Sequence, residues 1–179
     1  MSSVVVAGDT SGSITISAPA VAGSNTLTLP VASDVYKRQT YASGTTQIPF
    51  DNTIPQNTEG DQYYSVTITP KSATSTLVIF AECNASHSAT AANTDIIMAV
   101  FQDSTANAIA AACEAPFGIS ANINLKLVHT MTSGTTSATT FKMRVGAGVA
   151  GTLYMNGCNG AGVLGGVLRS GLVVMEIGG

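Results

Sequence analysis

Apolar and polar residues alternate with period two over much of the chain, most plainly between Asn122 and Gly146. Ile123, Leu125 and Leu127 alternate with Asn122, Asn124 and Lys126, and further on Phe141, Met143 and Val145 alternate with Lys142 and Arg144. Side chains of a strand point to opposite faces in turn, so each run predicts a strand with one greasy and one wet face. The Ser, Thr and Gly residues between them predict a turn that folds the two runs into a long antiparallel hairpin over a core.

The same pattern extends in both directions. Tyr64 to Thr69 alternates and stops at Pro70; after a turn over Pro70 to Ser75, Leu77, Ile79, Ala81 and Cys83 share one face and Val78, Phe80 and Glu82 the other. Asp95 to Gln102 is nearly continuous in apolar residues, as expected of a central strand, and a short polar link joins it to a hairpin partner over Ala108 to Cys113. Thr152 to Asn156 and a final run from about Leu168 to Ile177 complete the set. Thr45 to Gly60 holds Pro49 and Pro55, which disfavour helix and central strand and predict a short edge strand followed by a long ordered loop. About eight strands at this spacing predict an all-β fold, an antiparallel β-sandwich of jelly-roll type, with an immunoglobulin-like order as the second choice.

Three segments follow from texture. Residues 1–33 are rich in Gly, Ser and Thr with short aliphatic runs, Val4-Val5-Val6 and Ile14-Thr15-Ile16, too little for a core, and predict an extended stalk or connector. The phrase from Gly8 to Pro30 resembles a spacer found in phage tail-fibre and other virion proteins from environmental sequence. Residues 34–39, Asp-Val-Tyr-Lys-Arg-Gln, break that texture; as codons GAT GTG TAT AAG AGA CAG they resemble the end of a transposase-based sequencing adapter, which predicts a junction without evolved structure. Residues 40–179 form the predicted sandwich head domain.

Composition narrows the class. The chain has 179 residues, of which 9% are charged, and its net charge is -3. A surface wetted mainly by Ser, Thr, Asn and Gly suits secreted, fibrous or virion proteins. Without a Lys/Arg cluster, nucleic acid is not an expected partner. The apolar runs are far shorter than a membrane span and no basic-then-apolar leader is evident, so membrane insertion is not expected either. Cys83, Cys113 and Cys158 are odd in number and far apart, which argues against a disulfide framework or zinc spacing and for buried free thiols.

Signals that suggest chemistry dissolve on inspection. Gly146 to Gly151 and Gly160 to Gly165 each fit G-x-G-x-x-G, but neither is followed by the helix that a dinucleotide site needs, so these glycines read as bends or close chain approaches. His87 and His129 pair with no ligand or nucleophile; by parity His129 faces inward with Leu127, toward the core or a subunit seam. Asp51, Glu59 and Asp61 lack the density of a calcium site, and Asn84-Ala85-Ser86 matches a glycosylation acceptor that a protein outside the secretory route never exposes. No metal, cofactor or catalytic residues are assigned, and no enzyme activity is expected.

From Thr45 onward the chain resembles phage tail-fibre or virion-associated proteins of environmental viruses. The phrases that carry the resemblance are Ile54 to Gly60, Phe101 to Ala108, His129 to Lys142, Gly165-Gly166-Val167 and Met175-Glu176-Ile177. The resemblance implies a jelly-roll head that forms a homotrimer, is located in the virion tail after assembly in the host cytoplasm, and contacts other tail or virion proteins. Its implied function is non-enzymatic: a fibre or spike head presenting loops to a host-surface glycan or protein, with weak contacts multiplied by avidity. A capsid-decoration protein and a carbohydrate-binding or adhesin module are the alternatives. The loops around 50–60, 85–93 and 156–165 supply the candidate receptor contacts Asp51, Asn52, Gln56, Asn57, Asn84, His87, Asn156 and Asn159.

Overall fold

The structure, a computed structural model, describes residues 3–7, 13–17, 36–89, 94–118 and 120–177. The chain divides into two compact units, Met1–Ala32 and Ser33–Gly179. In the first, β1 (Ser3–Ala7) and β2 (Ser13–Ser17) pair antiparallel from Ser3↔Ser17 to Ala7↔Ser13. These are the two short aliphatic runs; most of the stretch expected to be a connector lies outside the described residues.

The second unit holds β3 (Tyr36–Gln39), β4 (Ala42–Gly44), β5 (Asp61–Ile68), β6 (Thr76–His87), β7 (Ile96–Gln102), β8 (Ala110–Glu114), β9 (Ile123–Thr132), β10 (Thr139–Ala147), β11 (Leu153–Met155), β12 (Gly157–Cys158), β13 (Ala161–Gly162) and β14 (Ser170–Ile177). One sheet has four strands in the order β5-β10-β7-β8, the other has six, with β3-β14-β6 along one side and β9 on the far edge of β6. The chain changes sheet after β4, β5, β6, β8, β9 and β10, and within these two sheets only β7 and β8 are consecutive neighbours. That alternation is a jelly roll, and an immunoglobulin-like order does not produce it.

The alternation has one consequence that the pattern did not predict. β9 pairs with β6 and β10 pairs with β5 and β7, so the runs around Asn122 to Gly146 are two strands in opposite sheets and not a hairpin. The link between them is fastened to a different turn: Ser133 N donates to Ser75 O at 2.9 Å, Ser133 Oγ to Ser72 O at 2.5 Å, and Gly134 N to Ala73 O at 2.9 Å. Period two fixes which face each strand buries but carries no information about its partner.

Between the sheets lies the main core, in which Leu77, Ile79, Met98, Phe141, Met143, Met155, Leu172 and Val174 are all fully buried. A second, smaller core covers the outer side of the four-stranded sheet: Ile48 from the Thr45 to Gly60 loop sits on Ile97, Ala99 and Phe101. β7 is therefore buried on both faces, the physical reason for its unbroken apolar run. The loop lies flat because Gly146 leaves room for it, a Cβ there meeting Thr46 O at 2.7 Å. A register shift between Met143 and Arg144 turns the Arg144 side chain toward the same loop, where Nε donates to Glu59 O and Nη2 to Gly60 O, both at 2.7 Å.

β3 covers part of the segment resembling a sequencing adapter. It pairs along β14 from Val173↔Tyr36 to Ser170↔Gln39. An edge position of this kind uses backbone N–H and C=O groups, which residues of almost any identity supply.

Candidate functional site

Among the described residues, the outer face of the six-stranded sheet has no covering loop comparable to the one on its counterpart. Strand register assembles a ladder there: Phe80 on β6 lies between Val128 on β9 and Val173 on β14, the next outward row is Thr130, Val78 and Met175, and the row beyond is Thr132, Thr76 and Ile177. Phe80, Val128, Met175 and Ile177 are 41, 63, 43 and 56% exposed, while their neighbours in sequence, Ile79, Leu172 and Val174, are fully buried. Both faces of β6 and β14 are thus apolar. An outer sheet face wetted by solvent carries polar residues instead, so the exposed ladder sets this face apart.

Toward the other end of this face the rows become polar. Glu82 lies between Lys126 and Gly171, and Asn84 lies opposite Asn124. Asn124 Nδ2 donates to Glu82 Oε1 and to Asn84 Oδ1, both at 2.9 Å, and Asn84 Nδ2 donates to Arg169 O at 2.5 Å. Because Gly171 has no side chain, a groove of roughly 270 Å³ opens between Phe80, Val128 and Val173 on its apolar side and Lys126 and Arg169 on its charged side.

The eight residues singled out as receptor contacts do not share one surface. Asp51 and Asn52 are exposed on the loop over the four-stranded sheet, where Thr53 N and Oγ1 donate to Asp51 Oδ1 at 2.7 and 2.5 Å and hold its carboxyl below the usual range. Gln56 and Asn57 tie the same loop to the β7–β8 link, Gln56 Nε2 donating to Asn107 Oδ1 at 3.0 Å and Asn57 Nδ2 to Thr105 O at 3.0 Å. His87 and Asn156 are each 2% exposed and cannot be surface contacts. His87 Nδ1 accepts from Ala89 N, and Asn156 bonds Thr40 O and Ser170 Oγ. Polarity and glycine content predicted loops there, but turns this close to the sheets consume their polar groups internally. Of the two candidates on the third loop, Asn159, whose Oδ1 accepts from Ser120 Oγ, is the exposed one, and Asn84 reaches the groove only through its bond to Arg169 O.

Other expectations are likewise resolved by position. Cys83 is buried, with burial pushing its thiol well above the ordinary range, but Cys113 is exposed on β8 and Cys158 half-buried, so the reading of all three as buried holds for one. His129 lies opposite Ile79, on the inward parity of β9, and is half-buried. Asp51, Glu59 and Asp61 do not converge: Glu59 accepts from Gln56 N and Asp61 from Thr46 N and Oγ1, and among the described residues no cluster of three or more His, Cys, Asp or Glu could hold a metal.

Besides the exposed Asp51, two groups contribute to the acid sensitivity. The Glu176 carboxylate accepts from Ser75 Oγ at 2.6 Å, Lys71 N at 2.8 Å and Ser72 N at 3.2 Å, which holds it below the ordinary glutamate value, and burial pushes the His87 imidazole below the ordinary histidine value. In both cases the unfolded chain binds a proton at a higher pH than the folded one, so stability rises with pH. The melting temperature should fall first as pH drops below the histidine range and again below the glutamate range. Glu176→Gln should reduce the second fall and leave the first, as read by thermal unfolding across a pH series.

A family model, the Pgp3 C-terminal domain, matches residues 47–178. The chain belongs to the Pgp3 C-terminal domain family. The matched span runs from the Ile48 loop to β14 and takes in every phrase after Thr45 that suggested a phage fibre family. Membership in the Pgp3 family overturns that assignment, and with it the function of a phage tail-fibre or spike head built for host attachment, because phrases rich in Ser, Thr and Gly are shared by unrelated exposed β proteins. No curated protein matches this Pgp3-family chain. Among solved structures, two of infectious bursal disease virus, from the Gx and Gt strains, are 13 and 14% identical over 96 and 94% of this chain, with TM-scores of 0.30 and 0.29. The chain spans 45 and 43% of their lengths, and at those scores no conclusion rests on them.

Proposed function

We propose that the sandwich is a non-catalytic assembly module that forms a homotrimer through the outer face of its six-stranded sheet. The observation that carries this reading is the ladder of Val128, Phe80, Val173, Met175 and Ile177, apolar across three strands and exposed in the single chain. Full burial of a large apolar side chain stabilises by about 1.5–3 kcal/mol, so several half-exposed ones supply a useful part of the free energy of association. A second copy of the same chain satisfies the face without any other partner.

The chemistry of the remaining groups supports a non-catalytic role. The Cys83 thiol is buried beside Met155 and disfavoured as a thiolate, His87 is buried, and the carboxylates of Asp61, Glu59 and Glu176 are occupied by neighbouring N–H and O–H groups. A charge introduced at the centre of the ladder tests the reading. Phe80→Asp should convert the wild-type trimer to a monomer of unchanged fold, as measured by sedimentation velocity and circular dichroism. A wild-type protein that sediments as a monomer, or a Phe80→Asp protein that stays trimeric, would refute it.

A further inference from the structure

Away from the ladder, Leu164 and Val167 are 70 and 72% exposed and lie three residues apart on the loop between β13 and β14. Residues 160–168 of this loop are Gly, Ala, Val and Leu only, without one polar side chain. Leu164 has a φ of 52°, in the left-handed region that glycine and asparagine enter at less cost. A leucine held there gains neither burial nor an unstrained backbone, and strain kept at an exposed apolar residue points to use by another molecule.

The loop also satisfies most of its backbone acceptors internally. Gly166 N donates to Val163 O at 3.0 Å and Val167 N to Leu164 O at 3.2 Å, while Arg169 Nη1 donates to Gly166 O and, at 3.3 Å, to Leu168 O. Four of the six carbonyls from Val163 to Leu168 are thereby occupied. Water or a protein pocket supplies partners for such groups; hydrocarbon supplies none, so a segment that enters it must arrive already bonded. We propose that this loop is a shallow membrane anchor: Leu164 and Val167 enter the outer hydrocarbon of a lipid bilayer, with Arg169 at the level of the headgroups. The run length needed to span a bilayer does not limit a loop that only dips into one.

Charge and position agree. Between Glu114 and Glu176 the sequence has no acidic residue, and its cations there are Lys126, Lys142, Arg144 and Arg169, so no carboxylate within the loop opposes an anionic headgroup beside Arg169. Gly157 O accepts from Ser86 Oγ at 2.8 Å and Arg169 O from Asn84 Nδ2, so both feet of the loop stand on the last residues of β6, toward His87. The ladder runs the other way, from Phe80 to Thr76, and the anchor is independent of it. The opposite end of the sandwich supplies a reference. The link before β10 is bonded to Ser75 and β10 ends opposite Ile96, which puts Gln102 and the β7–β8 link at the Thr76 end; Pro55 O accepts from Ala108 N there, beside the exposed Ile54. Asp95 and Glu114 do reach the loop's end of the molecule, but on the other sheet.

The chain has no tryptophan, so a single one introduced into the full chain reports without background. With vesicles of phosphatidylcholine and about a quarter phosphatidylglycerol, Val167→Trp should shift its emission to the blue and be quenched by brominated lipid, and Ile54→Trp should do neither. The wild-type protein should float with the same vesicles. Leu164→Asp/Val167→Asp should lower the partition coefficient at least about tenfold, the loss expected when a buried apolar side chain is removed, with melting temperature and sedimenting mass unchanged. A wild type that stays at the bottom of the gradient, a double variant that floats as well as wild type, or equal blue shifts at 167 and 54 overturns the anchor. A double variant whose sedimenting mass falls assigns the loop to a contact between copies and overturns it as well.

Discussion

Gly146→Val should destabilise the sandwich by about 3–5 kcal/mol, the range of a badly disrupted core. Gly146 faces the loop that covers the four-stranded sheet, and a Cβ there meets Thr46 O at 2.7 Å, Ile48 N at 2.8 Å and Ile48 Cγ1 at 2.9 Å. Two of those atoms are backbone and cannot rotate away. The loop must lift, which breaks the bond from Ile48 N to Ala147 O and opens Ile48, Ile97, Ala99 and Phe101 to water. Losing Arg144 instead, by Arg144→Leu, removes only the two bonds to Glu59 O and Gly60 O and should cost about 1–3 kcal/mol. Gly118→Ala, where an added Cβ meets nothing within 4 Å, is the control and should change stability by less than about 0.5 kcal/mol. Urea unfolding measures all three, and a Gly146→Val protein as stable as wild type would mean that the loop does not seal the second core.

How far the sequence carried the structure can be judged from the same strands. Alternation located β5, β6, β9 and β10, because burial of one side of a strand leaves a direct imprint at every second residue. The unbroken run of β7 announced burial on both faces, and the prolines at 49 and 55 marked the loop that supplies one of them. Sheet partners were legible only for β7 and β8, joined by a short polar link. Whether β9 turns back on itself or crosses to the other sheet depends on Ser133 and Gly134 finding Ser75 and Ala73, contacts nearly sixty residues apart that no local pattern records. The proposed interaction face was half legible: Val78 and Phe80 fall together on the face of β6 opposite Leu77 and Ile79, but their alignment with Val128, Val173 and Met175 appears only once the register is known. The candidate contact residues fared worst, since polar loop residues near a sheet end are as often spent on backbone bonds as offered to a partner.

Asn156 makes that distinction measurable. It was expected at a receptor surface, yet it is buried with φ of 55°, in the left-handed region that asparagine tolerates better than most residues. Its backbone N donates to Asn84 O at 2.8 Å, its Nδ2 to Thr40 O at 3.0 Å, and its Oδ1 accepts from Ser170 Oγ at 2.7 Å. Asn156→Ala should therefore cost about 2–4 kcal/mol, combining roughly 1 kcal/mol of backbone strain with buried groups left without their partner. Asn156→Gly relieves the strain and keeps the hydrogen-bond loss, so it should be less damaging than alanine by about 1 kcal/mol. Asn52→Ala, on the exposed loop, should fall within about 0.5 kcal/mol of wild type. The effect should also reach the proposed interface, because Ser170 Oγ accepts from Asn84 N at 2.8 Å and Asn84 in turn holds Arg169 O beside the groove. Unfolding curves and sedimentation of the same three variants read both consequences; an Asn156→Ala protein with wild-type stability would return this residue to the surface.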